Sequence, residues 1–198
     1  MRRLVVNEFL SLDGVMQGPG GPEEDTEGGF KLGGWALPYH SDDYVEKALE
    51  EMAQTEIQLF GRKTYEEFAS YWPTAPTEIP FTAHLNSVRK VVASNTLQRV
   101  DWNNSTLIRG DVAEEVAKLK AEAGGNISVL GSGNLVQTLM ENDLVDEYSL
   151  VVYPIVLGSG KRFFRSAEQV MRLTLIDSTP TSTGGVILRY RPAEGSAR

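Results

Sequence analysis

The chain has no cysteine. That excludes disulfides, thiolate metal sites and cysteine nucleophiles, and it fits a reducing cytoplasm. Histidine is scarce as well, and no metal site is expected. No apolar run approaches the ~20 residues of a membrane span. The N-terminus passes from Met1-Arg2-Arg3 straight into Leu4-Val5-Val6-Asn7-Glu8, too short and too polar for a signal peptide. Positive charge is in the minority, with 19 Lys and Arg against 27 Asp and Glu and a net charge of −8. Such a balance argues against a nucleic-acid partner, and any phosphate site must be made locally. What is present is ordinary: 198 residues, 41% hydrophobic and 23% charged. That suffices for one domain with a sizeable core, expected over 1–192, with 193–198 as a flexible tail.

The chain is organised around Ile57 to Phe68. Ile57 to Phe60 has strand character, and Gly61 punctuates it. Thr64 reads as an N-cap, with Glu67 three residues on completing a capping box. Tyr65 and Phe68 then open an apolar helical face. Strand, tight turn and helix N-terminus bring backbone N–H groups and the positive end of the helix dipole together, a phosphate-binding arrangement. Arg62 and Lys63 add two cations. A capped helix with two solvated charges is the other reading. A second strand–glycine–helix turn follows at Leu130, Gly131-Ser132-Gly133 and a helix from Asn134. It lacks the third glycine of the dinucleotide fingerprint, since Val136 stands there. In a parallel sheet both turns lie at the carboxyl edge, where such sheets bind ligands, and a pyrophosphate could bridge the two helix starts.

Around these turns the pattern predicts strands at Arg3–Leu10, Ile57–Phe60, Arg89–Ser94, Thr106–Arg109, Ile127–Leu130 and Glu147–Ile155. Helices are expected at Ser41–Ala53 (with Ser41 as N-cap), from Thr64, at Val112–Ala123 and at Asn134–Glu141. A closing hairpin pairs Arg172–Asp177 with Val186–Arg191. Met16 to Gly34 is a long glycine-rich, acidic loop; with Phe30, Leu32 and Trp35 among its glycines and just after them, it reads as a loop over a ligand site. The fold class expected is α/β, with a mixed, mainly parallel sheet and an antiparallel C-terminal edge.

Several stretches resemble one superfamily. Gly61-Arg62-Lys63-Thr64-Tyr65-Glu66 is similar to the G-R-x-T-[WY]-E motif of dihydrofolate reductases, and Trp35-Ala36-Leu37-Pro38 to their W-x-L-P segment. Ser11-Leu12-Asp13-Gly14 resembles the S-x-D-G turn of the reductase domain of riboflavin-pathway deaminase-reductases. Leu144-Val145-Asp146-Glu147, Pro154 to Gly160 and Phe163-Phe164 resemble that group's C-terminal signature. The resemblance implies a dihydrofolate-reductase-like fold, three layers αβα, and NADPH-dependent hydride transfer to a heteroaromatic ring.

Carried over by position, the resemblance puts Gly61, Arg62, Lys63 and Thr64 at the adenosine phosphates and Ser94 and Asn95 near the 2′-phosphate. Gly131, Ser132, Gly133, Asn134 and Leu135 would hold the pyrophosphate. Backbone groups of Phe9 and Met16 would hold the nicotinamide amide. Dihydrofolate reductases carry a carboxylate five residues after the W-x-L-P tryptophan, where this chain has His40, so a ring other than dihydrofolate is expected. Asp13 and Trp35 are the substrate contacts expected, and His40 a third candidate for the chemistry. Their other readings are a turn aspartate, a core tryptophan and a solvated histidine. Three functions stay open: a reductase resembling 5-amino-6-(5-phosphoribosylamino)uracil reductase, a nucleotide binder without turnover, and an interaction protein. A homodimer through the late strands is also expected, because an uncovered β edge is a liability.

Overall fold

The computed structural model describes residues 1–165 and 170–193; most of the expected tail, 194–198, lies outside the described residues. The chain divides into two compact units, Met1–Val6 with Val45–Asp146 and Asn7–Tyr44 with the chain from Glu147 onward. Strand β1 (Leu4–Ser11) begins in the first and ends in the second.

In the first unit, β2 (Thr55–Gly61) runs parallel to β3 (Arg89–Ala93) and β5 (Asn126–Leu130), and β3 runs parallel to β4 (Ser105–Ile108). Ile57, Leu59, Phe60, Val92, Ile127 and Val129 are wholly buried. Gln58 and Ser128, which alternate with them, are buried too, with the Gln58 amide donating to the Ser128 carbonyl at 3.0 Å, so these strands are covered on both faces. Helices α2 (Arg62–Tyr71), α3 (Thr82–Ser87), α4 (Val112–Ala121) and α5 (Gly133–Glu141) complete the unit. Asp111 caps α4 by accepting the Glu114 N–H at 3.0 Å, the bond an N-cap aspartate supplies. Phe60, Tyr65, Leu85, Val92 and Trp102 form its aromatic core. Lys90 is fully buried beside it: its ammonium donates to the Val88 carbonyl at 2.8 Å and lies 4.5 Å from the centre of the Trp102 ring.

In the second unit, β6 (Glu147–Tyr153) pairs antiparallel with β8 (Val186–Pro192), and β8 with β7 (Leu173–Pro180). The hairpin is longer than expected, because Thr179 and Pro180 still pair with Ile187 and Val186. Its core is Phe30, Trp35, Ala36, Val151, Tyr153 and Ile187. Helix α1 (Asp42–Met52) starts within this unit. The strand order is β4-β3-β2-β5-β1-β6-β8-β7, a mixed eight-stranded sheet.

Two local expectations are corrected. Thr64 is not the N-cap of α2: the helix starts at Arg62, with Gly61 as the cap residue in extended backbone. The parallel ladder carries β2 as far as Gly61, paired with Ala93, so the helix must begin at once and Thr64 falls inside its first turn. Likewise α5 starts at Gly133, one residue before the expected Asn134.

Candidate active site

The phosphate-type turns of the first unit are built against each other. Gly131 and Ser132 both take left-handed backbone, at φ 55° and 64°. Glycine adopts that region freely, whereas serine is strained there. The Ser132 hydroxyl offsets this with two bonds: it accepts the Gly61 N–H at 2.9 Å and donates to the Thr64 hydroxyl at 2.9 Å. A Cβ on Gly61 would meet the Ser132 side chain at 3.3 Å. So Gly61, Thr64 and Ser132, taken from two separate motifs, meet. They bring the first turns of α2 and α5 together, each with N–H groups that have no partner within the helix. Arg62, in α2's first turn, pairs with Glu66 at 2.8 Å on the exposed face.

Ser94 and Asn95, expected at a 2′-phosphate, serve the chain itself. The Ser94 hydroxyl accepts the N–H groups of Thr96 and Leu97 at 3.2 and 3.1 Å, and Asn95 Oδ1 accepts that of Gly110 at 2.9 Å.

In the second unit, the Ser11-to-Gly14 turn and the Pro154-to-Gly160 segment are fastened together. Asp13 accepts the Ser11 hydroxyl at 2.7 Å and the N–H groups of Leu157 and Gly158 at 3.1 and 3.0 Å. These bonds, the Ser11 one first, hold its carboxyl down to about 2. Backbone bonds from Leu12 to Ile155 and from Met16 to Lys161 continue the seam. The glycine-rich loop is tied down by Gln17, whose amide donates to the carbonyls of Asp25 and Glu27, and by Lys161, whose ammonium meets Asp25 at 2.6 Å and also pairs with Glu27.

The three expected chemical residues are therefore placed as follows. Asp13 is the clamp of that seam. Trp35 is a core residue, 6% exposed, with its indole N–H on the Gln17 carbonyl at 2.7 Å and its ring edge-on to Tyr153. His40 is exposed and ends the turn Leu37–Tyr39. The N–H groups of Phe9 and Met16, expected at a nicotinamide amide, go to Glu8 Oε1 and to the Lys161 carbonyl.

The clamp geometry makes a prediction. Asp13→Asn is expected to lower stability by about 1–3 kcal/mol, because an amide NH2 would face N–H donors that now meet a carboxylate. The wild-type carboxyl is depressed, so its contribution is present above its unfolded value near 4 and fades as pH falls toward 2. Urea melts from pH 7 to pH 2 check both; equal stability of the two proteins at pH 7 would remove the clamp.

Two polar groups that the sequence reading passed over stand out. Glu8, on β1, is 7% exposed; Oε1 accepts the Phe9 N–H at 3.1 Å and Oε2 is buried without a partner. Desolvation, with a smaller push from the Glu24 carboxylate, raises it to about 8. The Tyr153 hydroxyl is also buried without a partner, pushed up to about 12 by burial. The available signal was a glutamate, next to Asn7, in a strand that runs from Leu4-Val5-Val6 to Phe9-Leu10.

Among known proteins, the Bacillus subtilis (strain 168) uncharacterized protein YyaP is 29% identical over 196 residues, covering 96% of this chain and 94% of its own. A putative riboflavin biosynthesis protein from Shewanella sp. PV-4 superposes with a TM-score of 0.74 at 22% identity, over 97% of this chain and 99% of that one. Dihydrofolate reductase from Enterococcus faecalis, complexed with NADP(H), superposes with a TM-score of 0.63 at 14% identity, over 97% of each chain. Both are similar in fold, which is dihydrofolate-reductase-like. The RibD C-terminal domain model matches residues 2–187. With that match across the two units, the chain belongs to the RibD C-terminal domain family.

Proposed function

We propose that the chain is an NADPH-dependent reductase of a pyrimidine or pterin-like compound, of the type of 5-amino-6-(5-phosphoribosylamino)uracil reductase. The carrying observation is the lock between the two turns, Gly61 N–H to Ser132 Oγ to Thr64 Oγ1. It fixes two helix starts side by side, and their N–H groups and dipoles fit a pyrophosphate. Arg62 and Lys63 add the positive charge that a chain of net charge −8 must supply locally. The family supports a reductase role, and the E. faecalis relative in fold holds NADP(H). When bound, the cofactor supplies hydride; the chain's residues bind and orient it.

Dihydrofolate is expected to be a poor substrate. His40 cannot accept the pair of N–H bonds that a carboxylate at that position would. Asp43 is no substitute, since its carboxylate is engaged by the Ser182 N–H at 2.7 Å and the Tyr44 N–H at 3.0 Å.

Cofactor titration tests the reading. NADPH is expected to bind more tightly than NADH, and Arg62→Ala to weaken NADPH by roughly 10- to 100-fold, the worth of a charge-assisted hydrogen bond. Equal affinities for the two cofactors in wild type would remove the 2′-phosphate assignment; no binding of either would remove the reductase.

A further inference from the structure

We infer that Arg109, just past the end of β4, is the residue that selects NADPH over NADH, its guanidinium pairing with the cofactor's 2′-phosphate. The inference rests on the reductase reading above and names a residue that reading does not use.

The sheet register brings Arg109 to the cofactor's side of the first unit. Gly61 of β2 pairs with Ala93 of β3, and Ala93 with Ile108 of β4. These strands run parallel, so the next residues, Arg62, Ser94 and Arg109, leave the sheet side by side at its carboxyl edge. Neighbouring strands are about 4.8 Å apart, which puts the Arg109 backbone roughly 10 Å from that of Arg62, beyond Ser94. The carboxyl edge is where an open parallel sheet takes its ligand, and the helix starts fastened by Ser132 and Thr64 lie on it. A cofactor with its pyrophosphate on those helix starts and its adenosine running along the edge toward β4 meets Arg109 there. Every residue of this arrangement belongs to the first unit.

The side chains expected at the 2′-phosphate are engaged by the chain itself. The Ser94 hydroxyl holds the N–H groups of Thr96 and Leu97, and Asn95 Oδ1 holds that of Gly110. Arg109 is exposed, and among the described residues no carboxylate pairs with it. Its Nη2 donates to the carbonyls of Leu97 and Gln98 at 2.5 and 3.3 Å. Those bonds hold the guanidinium against the loop after β3 and leave Nε and Nη1 open. The nearest acids in sequence are occupied: Asp111 caps α4 through the Glu114 N–H, and Glu114 and Glu115 pair with Lys118 at 2.9 and 2.8 Å. A phosphate monoester is close to a dianion at pH 7. In a chain of net charge −8 it needs a cation at the point of contact. An arginine already held by backbone carbonyls loses less freedom on pairing than a loose one. NADH offers a hydroxyl in place of the phosphate and forms no ion pair with it.

The test titrates the full chain with both cofactors. Arg109→Gln should weaken NADPH by roughly 10- to 100-fold, the worth of a charge-assisted hydrogen bond, and leave NADH unchanged. The unchanged NADH affinity also shows that the variant is folded. Adenosine 2′,5′-bisphosphate should lose affinity as NADPH does, and adenosine 5′-monophosphate should not. Arg109→Lys keeps the charge and should recover part of the preference. NADPH bound by Arg109→Gln as tightly as by wild type overturns the proposal. Equal weakening of NADPH and NADH in both variants also overturns it, since a residue that only fastens the loop would act on both cofactors alike. In either case a wild-type preference for NADPH leaves the reductase reading standing. Wild type that binds neither cofactor overturns both.

Discussion

Replacing Arg189 by methionine is expected to destabilise the protein by about 1–3 kcal/mol, the cost of withdrawing a charge-assisted hydrogen bond from a buried carboxylate. Glu147 opens β6 and is only 4% exposed. Arg189 reaches it from β8, with Nε 2.7 Å from Oε1 and an Nη on the same oxygen. The register brings Ser149 opposite Arg189, so the arginine crosses diagonally to the strand's first residue. These strands also carry Val151, Tyr153 and Ile187, which close around Trp35. Loss of the pair should therefore loosen the aromatic core of the second unit as well as lower the urea midpoint. Replacing both partners, Glu147→Leu with Arg189→Met, is expected to recover most of the loss, because the pair's desolvation cost disappears with it. Urea denaturation with unchanged slope measures this; a loss below about 1 kcal/mol in the single variant would show a solvated pair.

The second large effect is a rise in stability with pH, from about pH 8 to about 10.5, caused by Lys90. Its ammonium is buried against Val88 O and the Trp102 ring, and desolvation lowers it from 10.5 to about 8. His84 lies within its electrostatic reach, is itself lowered by burial, and adds no negative charge. Below the folded value both states hold the proton, and the folded state bears the whole cost of a buried charge. Between the two values the unfolded chain binds more protons, so stability rises with pH, and above 10.5 the cost is gone. The full swing is on the order of 3 kcal/mol at 1.36 kcal/mol for each tenfold change. Lys90→Met should abolish this rise. At pH 7 it should be more stable than wild type by about 1 kcal/mol, since the lost cation–π contact and the bare Val88 carbonyl offset part of the gain. Melts at pH 7, 9 and 10.5 check it. A wild-type curve that is flat over this range, relative to Lys90→Met, would mean the amine is hydrated.

Periodicity and turn chemistry made most elements legible. β3, expected at Arg89–Ser94, is Arg89–Ala93; α4, expected at Val112–Ala123, is Val112–Ala121. These depend on local apolar spacing and on caps such as Asp111. The cap at Thr64 was misread for a non-local reason: pairing with β3 prolongs β2 to Gly61, and no capping pattern reports a strand partner. The two turns at Gly61 and Gly131 could be read as a pair, because each has a strand, small residues and a helix in sequence. Their joint, Ser132 to Thr64, spans 68 residues and could not. Asp13 shows the same boundary. Its motif was visible, but its partners at Leu157 and Gly158 lie 144 and 145 residues away. What looks in sequence like a free acid in a turn is a saturated carboxylate in space. Glu8 is the converse case. Alternation puts this acid on the face of Val6 and Leu10, but only the folded structure shows that its second oxygen meets nothing.

The central claim is reduction at the expense of NADPH, and one measurement addresses it most directly. The full chain is mixed with NADPH and 5-amino-6-(5-phosphoribosylamino)uracil, with dihydrofolate in a parallel sample, and the cofactor's near-ultraviolet absorbance is followed. The account predicts loss of absorbance that requires the pyrimidine, is faster with NADPH than with NADH, and is at most slow with dihydrofolate. NADPH that binds but is not consumed with either ring, or dihydrofolate reduced with kcat/KM of about 10⁶ M⁻¹s⁻¹, would contradict it.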